Sequence, residues 1–501
     1  MSNLSMLSVR TWLGLALVTA SVAVGFAPKP AAAAPVLRFS ADERGDLVVF
    51  GNTLAHDCRA GIPTPVVGAV GTCGMNTADS AADVFWRADD PLAGQARTDN
   101  TVLVTQARSS AQLQLPAGAS VVYARLYWQG QRATAVPSIV MDRPGVFQQT
   151  VNADAMRGTF TQPNGNGRTV FSSTADVSAL LQRHGAGSYR LNMVTQDNIV
   201  NLNDAATFAN WYVVVFYRQN QQPPRSLSLL DGFDTVGAAT SQTAVLRNFL
   251  VPAGGFDAKL AAIAHDGDFD TVGDALSLNG MALTDAQNPA NNFFNATHSY
   301  LGAAVTTAGD LPQYDGKAGS LNGLDLDVVD IAPRLKSGDT QATVLASTSG
   351  DGYFLSSVVG SVSTFKPIFS DTSKTWKNLT RADGSVRPGD TIEYTVVTHN
   401  TGIDTGVDVT VRDTLPAEVT YQAGSISIDG TTRTDAAGDD QAETTVVGGR
   451  TVVIARLGTG ATAALGGAVK VSDPVISVRF RVTVNNNVMG LVSNQAVVSA
   501  V

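Results

Sequence analysis

The chain has 501 residues, a net charge of −9, 44% hydrophobic and only 15% charged residues, and 47 glycines. It is too apolar for a disordered chain and long enough for two or three domains. Its 34 basic residues form no run, which excludes the clustered Lys and Arg that neutralise nucleic-acid phosphates.

In chain order, an uncharged lead and Arg10 precede an apolar run at 12–26, of signal-peptide length and too short to span a membrane. Small residues at 31–34 ahead of Pro35 predict cleavage between Ala33 and Ala34. No second long apolar stretch follows, so the mature chain is expected to lack a transmembrane segment and to be secreted or held at the cell surface by contacts. Cys58 and Cys73 lie 15 positions apart in a loop rich in Gly and Pro. In an exported chain such a pair predicts a disulfide, worth about 3 kcal/mol on the chain-entropy model.

Period-2 alternation predicts strands at 46–50, 101–104, 120–128 and 188–194. The continuous apolar run at 211–217 predicts a strand buried on both faces. One short helix is expected at 176–184, capped by Asp176 and stopped by Gly185. After Pro223-Pro224 the pattern restarts at 226–230, 243–251, 259–265, 275–278, 341–347 and 353–365, and Lys366-Pro367 opens a linker. Beyond it Ile392, Tyr394, Val396 and Thr398 share one strand face, and Val407, Val409 and Val411 share the next. Further strands are expected at 451–456, 475–484 and 494–498. The expected architecture is all-β: a signal peptide at 1–33, a β-sandwich with the cysteine loop at 34–222, a second, jelly-roll-like sandwich at 223–365, with one large unit over 36–365 as the open alternative, and an immunoglobulin-like domain at 366–501.

Residues 374–501 resemble the conserved-repeat immunoglobulin-like domain of bacterial surface proteins. The likeness rests on Arg387-Pro388-Gly389-Asp390, Tyr394, Asn400-Thr401-Gly402, Asp413-Thr414-Leu415-Pro416 and Ser493-Asn494-Gln495-Ala496. The preceding region is similar to leader modules of such proteins through Leu126-Tyr127-Trp128-Gln129-Gly130, Asp231-Gly232-Phe233, Asn291-Asn292-Phe293-Phe294-Asn295 and Asp351-Gly352-Tyr353-Phe354. The resemblance implies display or attachment and no catalysis.

Three further patterns bear on chemistry. Asp266, Asp268 and Asp270 alternate in a loop with Asp274 close behind, a spacing that lets carboxylates converge on a calcium ion. Glycine is missing at the sixth position and Ser277 stands where an EF-hand has its Glu, so the loop is no EF-hand, and a solvated turn is the competing reading. The segment 324–330 fits the start of a short helix entering Ile331. Surface modules of this topology sometimes join a lysine on the first strand to an asparagine on the last; Lys374 or Lys377 and Asn494 occupy those places, with Glu393 as an assisting carboxylate. Ordinary surface and turn roles are the competing reading there too.

No metalloprotease helix, nucleophile elbow or phosphate loop is present, and His56, His184, His265, His298 and His399 are scattered, read as surface or turn residues. The expected function is a non-catalytic adhesion or matrix protein whose partner is a surface or matrix glycan or protein. The alternatives are a structural subunit that self-associates through strand edges, and, further off, a carbohydrate-active enzyme with two separated carboxylates. Exposed rings at Phe269, Phe293, Phe294 and Tyr300 would favour the adhesin, and buried ones the subunit.

Overall fold

A computed structural model describes residues 35–58, 62, 69–71, 84–90, 93–132, 134–161, 169–192, 207–253, 255–305, 316–383, 385–486, 488, 490 and 492–500. Among these the chain is all-β, with Ser178–His184 as its one α-helix. The expected export segment at 1–33 lies outside the described residues, as does Cys73.

The first strand, Val36–Thr53, is 18 residues long. Its early part pairs with Pro224–Val236 and its later part with Ala209–Arg218. It thereby joins strands from both sides of residue 222 into one 11-stranded sheet. On one side the sheet continues through Ser120–Gln131 and Thr169–Asp176 to Ala155–Thr161. On the other it continues through Tyr353–Ser363, Ala258–His265 and Leu324–Asp330 to the short edge strands His298–Tyr300 and Ala303–Ala304.

Alternation along Ala209–Arg218 explains how this sheet is buried. Trp211, Val213 and Val215 enter a core shared with an eight-stranded sheet that includes Arg108–Leu113, Ser138–Arg143 and Gly187–Asn192. Tyr212, Val214 and Phe216 point the other way, into a core with Leu227, Leu229, Ile263, Leu326 and Val328. Apart from Leu321, that second core is built from strands of the 11-stranded sheet alone. The sheet therefore curls over itself, as strongly twisted sheets of this size do. A third core lies under a four-stranded sheet, where Leu246, Leu276 and Val344 meet Leu260, Leu355 and Val358. The apolar run at 211–217 is thus buried on both faces, each large side chain contributing about 1.5–3 kcal/mol.

Residues 373–499 form two packed sheets. Ser373–Asn378, Thr391–Thr398 and Ile476–Val484 belong to one, and Gly406–Thr414, Arg450–Arg456 and Ala496–Ser499 to the other. Ile392, Tyr394, Phe480 and Val482 fill one end of the core, and Val396, Val409, Val411 and Val478 the other.

Four local expectations are corrected. Residues 101–104 are no strand but a turn leading into the 3-10 helix Val104–Gln106. Asp99 accepts the Thr101 amide and Gln106 accepts the Leu103 amide, and these side-chain bonds compete with ladder pairing. The segment 324–330 does not begin a helix; it is the strand Leu324–Asp330, because Leu324, Leu326 and Val328 alternate into the core, and only a 3-10 turn, Ala332–Arg334, follows. The helix starts two residues late, at Ser178, with Asp176 Oδ1 accepting the Ser178 amide at 2.8 Å. Val407 leaves the apolar face and is exposed, because Asp408 (φ 52°) sits in a register shift between Gly406 and Val409.

Candidate functional site

The leader motifs meet inside the fold. Asp231 is buried, accepts Tyr127 Oη at 2.8 Å and pairs with Arg38 at 2.8 Å, while the buried Arg125 lies 3.8 Å away. Phe233 (φ 125°) occupies a register shift between Asp231 and Asp234, and its ring stacks on Phe354 at 4.8 Å. The backbone strain there is held by packing, since both rings are fully buried. Two of the leader motifs are thereby joined ring to ring, and a third through Tyr127.

The acidic loop is divided between surface and interior. Asp270 is exposed, Asp266 adopts φ 68°, and Asp268 gives its amide to Asp351 Oδ2 at 3.0 Å. Asp274 is enclosed at the start of Asp274–Leu278, where its Oδ2 accepts the Phe294 amide at 2.5 Å. Burial pushes Asp274 up to about 6 and Asp351 up to about 8. On Leu324–Asp330, in the 11-stranded sheet, Asp325 and Asp327 are fully buried, and Asp327 Oδ1 accepts hydroxyls from Thr297 and Ser299 at 2.9 and 2.7 Å. Burial pushes Asp327 up to about 8 and raises Asp325 well above the carboxylate range, its neighbour Asp327 adding to the rise. Among the described residues no group of three or more His, Cys, Asp or Glu is placed to hold a metal ion.

The histidines are not all surface or turn residues. His265 is fully buried among the rings of Phe208, Tyr212 and Phe233, and burial lowers it to about 3. It is a neutral core side chain, because among the described residues no charge partner offsets desolvation. His56 is buried as well and is lowered to about 4, by desolvation and then by Arg87. His184 stacks on Phe147 at 4.2 Å, and His399 Nδ1 lies 3.2 Å from Asp371. Cys58 is buried just after Ala55–Asp57.

Of the four rings named as candidate contacts, Phe293 and Phe294 are fully buried, Phe269 is half-buried and Tyr300 is 41% exposed. Tyr300 stands beside a cleft of about 490 Å³ lined also by Tyr217, Gln112, Gln114, Leu115 and Pro116. The cleft opens where the sheet's far edge returns to its first strand. This arrangement of rings, amides and apolar wall has no counterpart in local sequence, because its parts come from five distant segments.

The signature residues of the last domain form fasteners. Asn400 Oδ1 accepts the amides of Ile368 (3.0 Å) and Gly402 (2.9 Å), and its Nδ2 donates to Asp404 O (2.6 Å) and Val469 O (2.9 Å). Every hydrogen-bonding group of that buried carboxamide is used. Gly402 lies against the linker, where a Cβ would meet the Lys366 carbonyl oxygen, Ile368 N at 2.6 Å and Pro367 Cα at 2.8 Å. From the leader, Arg44 Nε donates to Thr401 O at 2.6 Å, and Glu43 takes Arg218 Nη2 at 2.7 Å and Ser370 Oγ at 3.0 Å. Asp390 is a second fastener: it accepts Asn378 Nδ2, Arg381 Nε and the Arg387 amide at 2.8 to 3.0 Å.

Of the residues named for a staple, Lys377 and Glu393 face outward. Lys377 is exposed, and Glu393 Oε2 pairs with Arg481 Nε at 2.9 Å on the outer face. Lys374 instead turns inward and donates to Asp413 Oδ2 at 2.5 Å.

No protein-family model and no curated protein matches the chain. Among solved structures, a protein of Corynebacterium diphtheriae thought to be membrane anchored aligns over 92% of this chain and 93% of its own, at 10% identity and TM-score 0.17. The N-terminal domain of the Streptococcus gordonii adhesin Sgo0707 aligns over 94% and 93%, at 10% identity and TM-score 0.21. A triple-jelly-roll protein of an archaeal virus aligns over 86% and 96%, at 9% identity and TM-score 0.14. Scores of this size carry no functional argument. Among the described residues no helix is long and apolar enough to cross a membrane.

Proposed function

We infer that this is a non-catalytic, extracellular surface protein in which the leader presents a binding face and the C-terminal module spaces it from its support. The observation that carries the reading is the junction. Arg44, Glu43, Arg218 and Ser370 meet Thr401 and the linker through direct hydrogen bonds, and Asn400 locks the linker itself. A fastened joint transmits orientation and load from one unit to the next, which suits display. The binding face is assigned to the Tyr300 cleft, whose rings and amides suit a glycan or an extended polypeptide. The Cys58–Cys73 disulfide and export of the chain belong to the same reading. A calcium ion at Asp266, Asp268, Asp270 and Asp274 is a separate proposal, and display does not require it.

The test is binding of the exported protein to glycan arrays and whole cells, with Tyr300→Ala beside the parent. Retention by the parent and loss in the variant, at equal thermal stability, supports the adhesive reading; equal binding by both removes the cleft from it. The structural-subunit reading draws support from the burial of Phe293 and Phe294. Concentration-dependent association in sedimentation velocity, with no ligand bound, would favour it.

A further inference from the structure

Lys374, Asp413 and Asn494 form a buried group that no fastening role accounts for. Lys374 stands on the first strand of the C-terminal module, with its side chain 11% exposed, and Asp413 is 1% exposed. The ammonium position lies 4.4 Å from the Tyr394 ring and 5.7 Å from that of Phe480, so apolar rings wall the pair. Asp413 is the strand partner of Ala496, which sets Asn494 two residues upstream of that pair. The Asn494 carboxamide is close enough to favour the ionised forms of both Asp413 and Tyr394. Yet its Oδ1 and Nδ2 are buried without completing a hydrogen bond, as is Asp413 Oδ1. A folded core rarely leaves three such atoms unmatched in one place.

Burial lowers Lys374 despite the nearby carboxylate, and burial raises Asp413 despite the amine. Both partners are drawn toward their neutral forms, an amine with a free lone pair and a carboxylic acid. These are the two states required for nucleophilic attack on a carboxamide with acid assistance.

We propose that Lys374 and Asn494 join in an intramolecular amide bond, formed after folding with Asp413 as the proton carrier. Nζ attacks Cγ of Asn494 while Asp413 gives its proton to the carboxamide oxygen. The tetrahedral carbon then collapses: the oxygen returns its proton to Asp413 as the carbonyl re-forms, the Cγ–Nδ2 bond breaks, and one proton from Nζ reaches Nδ2 through Asp413. Ammonia leaves, the Nζ–Cγ bond remains, and Asp413 ends in the protonation state in which it began. No oxidant, metal or cofactor takes part. The bond would tie the first strand of the module to the segment entering its last strand, clamping the sandwich between the points where pulling forces enter and leave.

The test is intact-mass spectrometry of the purified full chain, followed by peptide mapping. The expected result is a mass lower than the sequence by one ammonia, with a branched peptide linking Lys374 to Asn494. Lys374→Arg and Asp413→Asn should each carry the full mass, and folding of the near-isosteric Asp413→Asn is checked by circular dichroism. A folded parent protein at full mass overturns the proposal. So does loss of ammonia that persists in Lys374→Arg, because the leaving nitrogen would then come from elsewhere.

Discussion

Replacing Gly402 by alanine tests the junction directly. The new Cβ would lie 2.6 Å from Ile368 N and 2.8 Å from Pro367 Cα, and against the Lys366 carbonyl oxygen. All three are backbone atoms, so no rotamer change relieves the clash and the linker must move. Overpacking of this kind costs about 1–3 kcal/mol. Displacing the linker also strains the bonds from Thr401 N to Ile368 O (2.7 Å) and from Asn400 Oδ1 to Ile368 N (3.0 Å). Each contributes about 1 kcal/mol net, so the summed loss is about 3–5 kcal/mol. At roughly 4 °C per kcal/mol for a unit of this size, the transition of the C-terminal module should fall by about 12–20 °C. Differential scanning calorimetry reads this, with Gly255→Ala as control, since a Cβ there meets nothing within 4 Å. A shift at Gly402 no larger than that of the control would refute the fastened junction. A large shift with unchanged leader melting would locate the fastening in the module alone.

Asp231→Ala removes the partner of Tyr127 and Arg38 and leaves Arg125 buried beside an emptied site, so the leader should lose about 3–5 kcal/mol in denaturant unfolding. Asp327 is pushed up to about 8 by burial and titrates near 4 when unfolded. Between these values the native state holds a proton that the unfolded chain has released, so stability should fall as pH rises from about 4 to about 8 and level off above. Melting followed across that range checks the sign, and Asp327→Asn should flatten the slope; a midpoint that climbs with pH would contradict the assignment. On the calcium proposal for Asp266, Asp268, Asp270 and Asp274, a chelator should lower the melting of the leader and added calcium restore it; melting unchanged by either removes the proposal. Tyr300→Ala should alter melting by about 1 kcal/mol or less, since the residue is 41% exposed on a short edge strand, while abolishing any carbohydrate or cell binding.

Much of the fold was legible because strand period and burial are local properties. Residues 392–398 alternate between core and surface as their sequence does, and the apolar run within Ala209–Arg218 is buried on both faces because two cores flank it. Where local signals failed, a competing local bond or a bulge was the cause. The turn at 101–104 is held by Asp99 and Gln106, and Val407 is turned outward by the left-handed Asp408. The histidines were misplaced for a different reason: His265 carries no local mark of burial, and only the aromatic rings of distant strands enclose it. Among candidate site residues, Asn494 and Lys374 were legible as types at the right ends of the module, but the assisting carboxylate was not. Glu393 lies on the outer face of its strand, whereas Asp413 faces inward on another sheet.

By itself the sequence determined that the chain is a β protein, that its strand pattern restarts beyond Lys366-Pro367, and that the strands at 392–398 and 407–411 alternate between apolar and polar faces. These follow from composition and from a two-residue period that any strand displays wherever it lies in the fold. Only the tertiary structure decided that one long first strand draws both sides of residue 222 into a single curled sheet, that Asn400 and Gly402 lock the linker, and that Lys374 meets Asp413 beside Asn494. The physical reason is common to all three. Each depends on which distant segments share a ladder or a core, and strand pairing is set by complementarity across the whole fold, which no short window of residues contains.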